Sequence, residues 1–96
     1  MASVSFLEAN LFLEKYKNGF LVSERDGFVI VKAEIEGKTV MLWFRQSPIT
    51  ETALKLFKRI VGKHKYDELW LVRLYNHADY VKFEDLKIFD KVVSRI

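Results

Sequence analysis

The apolar residues at the start of the chain recur at the spacing of a helix. In the segment SFLEANLFLEKYKNGF they stand three or four positions apart, and Leu7 and Leu11 widen the apolar stripe. Ser5 and Glu8 have the S-x-x-E spacing of a capping box, which predicts a helix beginning at Ser5. The stripe itself consists of Phe6, Ala9, Leu13 and Tyr16.

The next part of the chain contains short apolar runs separated by turn residues, which is typical of strands. FLVSER and FVIVKAEIE flank Asp26-Gly27, a strong hairpin signal. A second turn around Glu36-Gly37 leads into KTVMLWFRQ. The middle run is apolar at every position from Phe28 to Val31, which predicts a strand covered on both faces.

The remaining sequence predicts two helices and two further strands. Ser47 is a suitable capping residue and Pro48 suits a first helical turn, so a second helix is expected to begin there. The patterns predict a fourth strand at ELWLVRLY, a short fifth strand at YVKF and a final helix at EDLKIFDKVVSRI. The order α-β-β-β-α-β-β-α predicts one α/β (α+β) domain over residues 1–96, with a mixed sheet flanked by helices.

Composition narrows the classes of function. The 96 residues include 16 basic and 13 acidic ones, and this net charge of +3 permits phosphate binding without requiring it. The chain has no cysteine and only two histidines, which disfavours a zinc site. No apolar run approaches the roughly 20 residues needed to cross a bilayer. We therefore expect a cytoplasmic protein with no membrane partner, and the scarcity of asparagine and glutamine suggests a thermophilic source.

Several segments resemble the archaeal Holliday-junction resolvases, a branch of the restriction-endonuclease-like, PD-(D/E)xK fold. NGFLVSERDGFVIVKA resembles that family's Gly-Phe strand opening and hairpin, and GKTVMLWFRQ its Gly-Lys turn and third strand. LWLVRL resembles the fourth strand, and DYVKFEDL the short strand and Asp-Leu after it. The resemblance implies a restriction-endonuclease-like fold, nucleic acid as partner and a two-fold homodimer formed through the last helix or an edge strand.

The same resemblance implies that the catalytic residues have been replaced. The family binds Mg²⁺ with an acid at the second strand and with the glutamate of an E-x-K sequence on the third strand. Here Asp26 lies near the first position, but in the turn, and Trp43-Phe44-Arg45 stands at the E-x-K position. Tryptophan cannot bind a metal ion, and arginine cannot give up a proton to act as a base. We therefore expect no catalytic residue, no cofactor and no cleavage.

Two sets of residues are candidates for contact with nucleic acid. The first is Arg45 as a phosphate ligand, next to Trp43, which shares its strand face and could stack on a base or simply pack in the core. The second is the basic stretch after Glu51, which contains no acidic residue before Asp67 and could also be an ordinary solvated helix face. Its candidate residues are Lys55, Lys58, Arg59, Lys63 and Lys65.

Three alternatives stay open at this point. The chain could be an active Mg²⁺-dependent nuclease with Asp26, Glu34 or Glu36, and Lys38 as catalytic residues, of which Asp26 and Glu34 would bind the metal. Glu34, Glu36 and Lys38 also fit a solvated hairpin tip. The chain could instead be a small protein-interaction module, for example a viral one. Finally, the element order could belong to an unrelated small α+β fold.

Overall fold

Five strands form one mixed sheet in the computed structural model, which describes residues 3–25 and 27–94. The strands lie in chain order, β1-β2-β3-β4-β5. Strand β2 is antiparallel to both β1 and β3, whereas β4 is parallel to β3 and β5 is parallel to β4. The predicted α+β class and mixed sheet are therefore confirmed. The strands are β1 Phe20–Arg25, β2 Phe28–Ile35, β3 Lys38–Arg45, β4 Glu68–Arg73 and β5 Lys91–Val93.

The sheet is covered by one α-helix on each face. Helix α1, Val4–Lys15, packs on one face, and helix α2, Glu51–Val61, packs on the other and connects the parallel strands β3 and β4. A 3₁₀ helix, Phe83–Ile88, lies on the α2 face in the connection from β4 to β5. No helix among the described residues is long and apolar enough to cross a membrane.

Strand β3 divides the interior into two cores because its side chains alternate between the faces. Val40, Leu42 and Phe44 are buried towards α1, together with Phe12 of that helix. Met41 and Trp43 are buried towards α2. Every residue of β3 from Val40 to Arg45 is buried, as expected for a central strand covered on both sides.

Trp43 is the largest fully buried side chain and belongs to the core. Its ring stacks on Phe57 of α2 at a centroid distance of 4.3 Å and on Phe28 of β2 at 5.7 Å. Each aromatic pair contributes about 0.5–1.5 kcal/mol beyond the area it buries. Its indole N–H donates a hydrogen bond to the carbonyl of Gly27 at 2.9 Å. Of the two interpretations of Trp43, core packing is the one that the structure adopts.

Both α-helices begin at residues other than those predicted. The cap of α1 is Ser3, whose hydroxyl accepts a hydrogen bond from the Phe6 N–H, so the predicted capping box is wrong. Ser5 lies inside the helix, where it is buried and its hydroxyl donates to Oε1 of Gln46 at 2.9 Å. Helix α2 is capped by Thr50, not by Ser47.

The outer face of α1 is also exposed where a wider buried stripe was predicted. The side chains of Leu7 and Leu11 are 53% and 55% exposed, and Val4, one turn earlier, is 49% exposed. One helix face suffices to cover this side of the sheet, so these three residues point away from the core.

The last part of the chain differs most from the prediction. Of residues 80–83, predicted as a strand, Tyr80 and Val81 form bends and Phe83 begins the 3₁₀ helix, and no α-helix follows in the described part of the predicted segment. Instead, Lys91–Val93 pairs with the open edge of β4. Asp90 begins this pairing, because its N–H donates to the Leu69 carbonyl and its Oδ2 accepts from the Leu69 N–H. Residues with helical spacing thus form a strand here, because the edge of β4 offers backbone partners.

Candidate nucleic-acid interface

Helix α2 is amphipathic and turns its basic residues outwards. Ala53, Leu54, Phe57 and Val61 are buried against the sheet. The five cations of the predicted basic stretch are all exposed, three on the helix and two in the segment that follows it. We call these residues the α2 basic surface: Lys55, Lys58, Arg59, Lys63 and Lys65.

A shallow groove of about 200 Å³ runs along this surface. Lys55 and Lys58 line one side of it together with Glu51 and Leu54 of the same helix, and Val81 and Asp85 line the other. The chain before Val81 is fixed to the start of α2, because the Tyr80 N–H donates to the Ile49 carbonyl at 2.8 Å. The segment that contains the 3₁₀ helix therefore borders the α2 basic surface.

Arg45 lies apart from that surface, in the interior. Only 7% of the residue is exposed, and its guanidinium donates hydrogen bonds to three backbone carbonyls. Nε bonds to Ser47 at 2.9 Å, Nη1 to Gly27 at 3.0 Å and Nη2 to Pro48 at 3.1 Å. The guanidinium carbon also lies 5.3 Å from the centre of the Trp43 ring. Arg45 thus joins the β1–β2 turn to the β3–α2 connection.

Further hydrogen bonds fix the connection between β3 and α2. The carbonyls of Ser47 and Pro48 accept from Arg45, and the Ile49 N–H donates to Oδ1 of Asp79 at 2.8 Å. Helix α2 begins directly after this connection, at Thr50, whose hydroxyl accepts from the Ala53 N–H at 3.1 Å.

Three of the alternative nuclease residues, Glu34, Glu36 and Lys38, belong to an exposed hairpin. Glu36 and Gly37 both have positive φ values, 51° and 80°, as in the tight turns that suit antiparallel hairpins. Glu34 is exposed, and Nζ of Lys38 lies 2.9 Å from Oε2 of Glu68, in an exposed ion pair. Asp26 lies outside the described residues. No group of three or more His, Cys, Asp or Glu side chains in residues 3–25 and 27–94 is arranged to hold a metal ion.

The Lys38–Glu68 pair alters the protonation of both groups. The hydrogen bond from Lys38 lowers the pKa of Glu68, and the hydrogen bond from the Trp70 indole N–H, at 2.8 Å, lowers it further. The same hydrogen bond to Glu68 raises the pKa of Lys38. Lys38 is thus the fully charged partner of an ion pair rather than a free base.

A second polar cluster, missed from the sequence, lies at the end of β4. Arg73 is the register neighbour of Arg45, and its Nη2 donates to the His77 carbonyl at 2.9 Å and lies 3.7 Å from Oδ2 of Asp79. The Tyr75 hydroxyl donates to Oδ1 of Asp79 at 2.5 Å. Burial, and next the hydrogen bond to Asp79, raise the pKa of Tyr75 to about 12.

His77 is part of this cluster through its backbone only. The histidine is exposed and takes part through its backbone carbonyl. In the segment NHAD, between the predicted fourth and fifth strands, Asp79 was the residue whose signal could have been recognised, since a buried carboxylate needs donors and Arg73 and Tyr75 lie close by in sequence.

Two exposed aromatic residues were also missed. Tyr80 is 73% exposed and Phe83 is 79% exposed, although a predicted strand would have buried one side of this segment. Lys82 lies between them and is exposed as well. Aromatic and basic residues therefore alternate on the surface next to the groove.

Comparison with known proteins identifies no relative: no family model matches the chain, and no curated protein or solved structure matches it.

Proposed function

We propose that the chain binds nucleic acid through the α2 basic surface and does not cleave it. The observation that supports this most directly is the grouping of five exposed cations on one helix and the turn after it. Unpaired phosphate charges are attracted to such a surface at long range, and each phosphate neutralised releases counterions. Within this proposal Lys55, Lys58, Arg59, Lys63 and Lys65 contact phosphates.

The arrangement of elements supports a restriction-endonuclease-like, resolvase-like origin within the same proposal. A helix, a three-stranded antiparallel meander, a connecting helix and a parallel fourth strand follow one another, with a helix on each face of the sheet. This is the core order expected from the resemblance of the sequence. The departure lies after β4, where a 3₁₀ helix and a parallel fifth strand take the place of the predicted strand and helix.

The identity of two residues on β3 supports the absence of cleavage. Trp43 and Arg45 occupy the positions where the resemblance requires a metal-binding glutamate and a lysine, and both side chains are buried. A tryptophan offers no oxygen to a metal ion, and an arginine stays protonated. Arg45, hydrogen-bonded to three carbonyls in the interior, has a structural role in this account, and the phosphate contacts are assigned to the α2 basic surface alone.

Equilibrium binding tests this proposal. A labelled duplex, a four-way junction and a single strand are titrated with the protein at about 50 mM salt, where phosphate contacts are strong. The double variant K55Q/K58Q should bind more weakly than the wild type, whereas K15Q/K17Q, with the same loss of charge on the α1 side, should not. Undetectable binding of all three nucleic acids would overturn the proposal.

A cleavage assay tests the second half of the proposal. The same substrates are incubated with Mg²⁺ or Mn²⁺, and we expect them to stay intact. Metal-dependent cutting that disappears in Asp26→Ala would instead establish the nuclease alternative.

A second candidate function, contact with another protein, is favoured by the outer face of α1. Val4, Leu7 and Leu11 lie one turn apart on that face and each is about half exposed. If two copies pair through it, sedimentation should detect a dimer that the variant L7Q/L11Q lacks, with nucleic-acid affinity per protomer unchanged. A wild type that stays monomeric at high concentration would exclude this homodimer.

A further inference from the structure

A cavity beside the 3₁₀ helix lies outside the α2 basic surface. Its volume is about 580 Å³, within the range of small-molecule sites. Strands β4 and β5 form one side of it through Leu71 and Val92, and the 3₁₀ helix forms another through Phe83 and Leu86. Val81 lines both this cavity and the groove beside Lys55 and Lys58, so the two spaces are neighbours.

The wall of the cavity is apolar and aromatic. Phe89, at its inner side, is buried and packs against Phe57 and Trp43 at centroid distances of 5.5 and 6.3 Å, so this wall is fixed by the core. Phe83 lines the opening and is 79% exposed. A phenylalanine ring on the surface next to an apolar cavity offers one free face to a flat, apolar group.

Three charged residues line the same cavity, and two of them are cations. Asp79 is already occupied, since Oδ1 accepts from the Ile49 N–H and the Tyr75 hydroxyl and Oδ2 faces Arg73. The Nε of Arg73, in contrast, is buried and has no hydrogen-bond partner among residues 3–25 and 27–94. Lys87 is exposed. The cavity is therefore lined by two cations and one carboxylate, and this excess of positive charge fits an anionic ligand.

We propose that this cavity binds one unpaired nucleotide, with its base against Phe83 and the apolar wall and its phosphate towards Lys87 and Arg73. The ligand must combine a flat, apolar body with an anionic group, and a nucleotide has both. The groove beside Lys55 and Lys58 shares Val81 with this site, so the backbone of a single strand that enters the cavity continues past Val81 along these two lysines. This inference rests on the proposed nucleic-acid binding and makes it specific to unpaired bases.

Methyl NMR tests where the base lies. The protein is titrated with oligothymidylate, with an abasic oligonucleotide of equal phosphate number and with thymidine monophosphate. We expect oligothymidylate to shift the methyl resonances of Leu71, Leu86 and Val92, and those of Val4 and Leu11 on α1 to stay unchanged. Shifts produced by thymidine monophosphate alone would support the site and identify a free nucleotide as a sufficient ligand.

The abasic oligonucleotide separates this inference from the proposed function. If it binds as tightly as oligothymidylate, or if oligothymidylate binds without shifting the cavity methyls, phosphate binding stands and the nucleotide site is refuted. If neither oligonucleotide binds while the duplex or the four-way junction does, the nucleotide site fails and the proposed function stands. If none of these nucleic acids binds, both proposals fail. Cavity shifts caused by an acidic, phenylalanine-containing peptide but not by oligothymidylate would identify a protein ligand and overturn the inference.

Substitution of the exposed ring gives a second test. F83A should lower the affinity for oligothymidylate about tenfold, in line with the usual effect of removing one base–aromatic stack, and leave duplex affinity unchanged. F83Y should restore the affinity because it keeps the ring. F20A is the matched control, since Phe20 is 53% exposed on the opposite edge strand. Equal single-strand affinity for F83A and the wild type would contradict the site.

Discussion

Arg45 and Lys58 carry the same charge, and one lies inside the molecule while the other lies on its surface. Arg45 ends a strand whose preceding five residues are all buried, and its guanidinium is surrounded by backbone carbonyls. Lys58 lies on the polar side of an amphipathic helix, next to a groove. Both were predicted to contact phosphate, and they differ in exposure, since Lys58 is exposed whereas Arg45 is 7% exposed.

The difference shows that the burial and hydrogen-bond partners of a cation, rather than its proximity to an aromatic residue, decide whether it is available for a ligand. A cation buried with hydrogen-bond acceptors stabilises the fold and is costly to remove, whereas an exposed cation contributes little to stability and is available for a ligand. Arg73 is intermediate, since its side chain is 32% exposed and shares Asp79 with Tyr75. Four substitutions, ordered by expected effect, test whether the contribution of a polar group to stability falls from buried to exposed positions.

Arg45→Ala should have the largest effect on stability. It leaves the carbonyls of Ser47 and Pro48 without their side-chain donor and the Gly27 carbonyl with only the Trp43 indole N–H, and we expect the free energy of unfolding to fall by about 3–5 kcal/mol. Chemical denaturation measures the change, and Lys55→Ala, within about 0.5 kcal/mol of wild type, is the control. A loss of under about 1 kcal/mol for Arg45→Ala would show that the buried guanidinium is dispensable.

Asp79→Ala should have an intermediate effect. It removes the acceptor of the Ile49 N–H and the Tyr75 hydroxyl and the carboxylate beside Arg73, so we expect a loss of about 2–3 kcal/mol in the free energy of unfolding. Asp79→Asn keeps one side-chain oxygen and should cost less. If the two variants unfold at the same denaturant concentration, the hydrogen bonds to Oδ1 are not what stabilises this loop.

Tyr75 should make stability depend on alkaline pH. Its pKa in the folded protein, raised to about 12 first by burial and then by the bond to Asp79, exceeds the ordinary value of 10. A raised pKa contributes stability that is complete below pH 10 and declines as the pH rises towards 12. The difference in unfolding free energy between wild type and Tyr75→Phe should shrink across this window, and a constant difference would contradict the shift.

The exposed pair of Lys38 and Glu68 should show the smallest effect. The pKa of Glu68 is lowered, so its contribution is present above the ordinary glutamate pKa and is lost as the pH falls through the lowered value. In an NMR titration the midpoint of the Glu68 carboxyl should rise in Lys38→Met, and rise less in Trp70→Phe. An unchanged midpoint in Lys38→Met would mean that the ion pair does not persist in solution.

The sequence predicts the fold from α1 to β4 because the spacing of its apolar residues is clearly helical or strand-like in this part of the chain. β1 to β4 and both α-helices follow directly from runs such as FVIVKAEI and from the apolar stripe of α2. After β4 the signal is weaker, since Lys91–Val93 is only three residues long and forms a strand because β4 offers an open edge. Such an edge is a property of the assembled sheet, which local periodicity does not report.

The candidate sites also divide into those that the local sequence predicts and those that only the assembled fold creates. The lysines of α2 are predictable, because a helix with one apolar stripe exposes its other side. The three carbonyls around Arg45 come from the β1–β2 turn and the β3–α2 connection, which only the fold brings together. The cavity beside Phe83 likewise combines residues of β4, β5 and the 3₁₀ helix.

The salt dependence of duplex binding tests the central claim most directly. The slope of log affinity against log salt becomes shallower by about 0.9 for each phosphate that the protein no longer neutralises, so K55Q/K58Q should have a slope about 1.8 shallower than wild type. K15Q/K17Q should keep the wild-type slope. Equal slopes for all three proteins would contradict phosphate binding by the α2 basic surface.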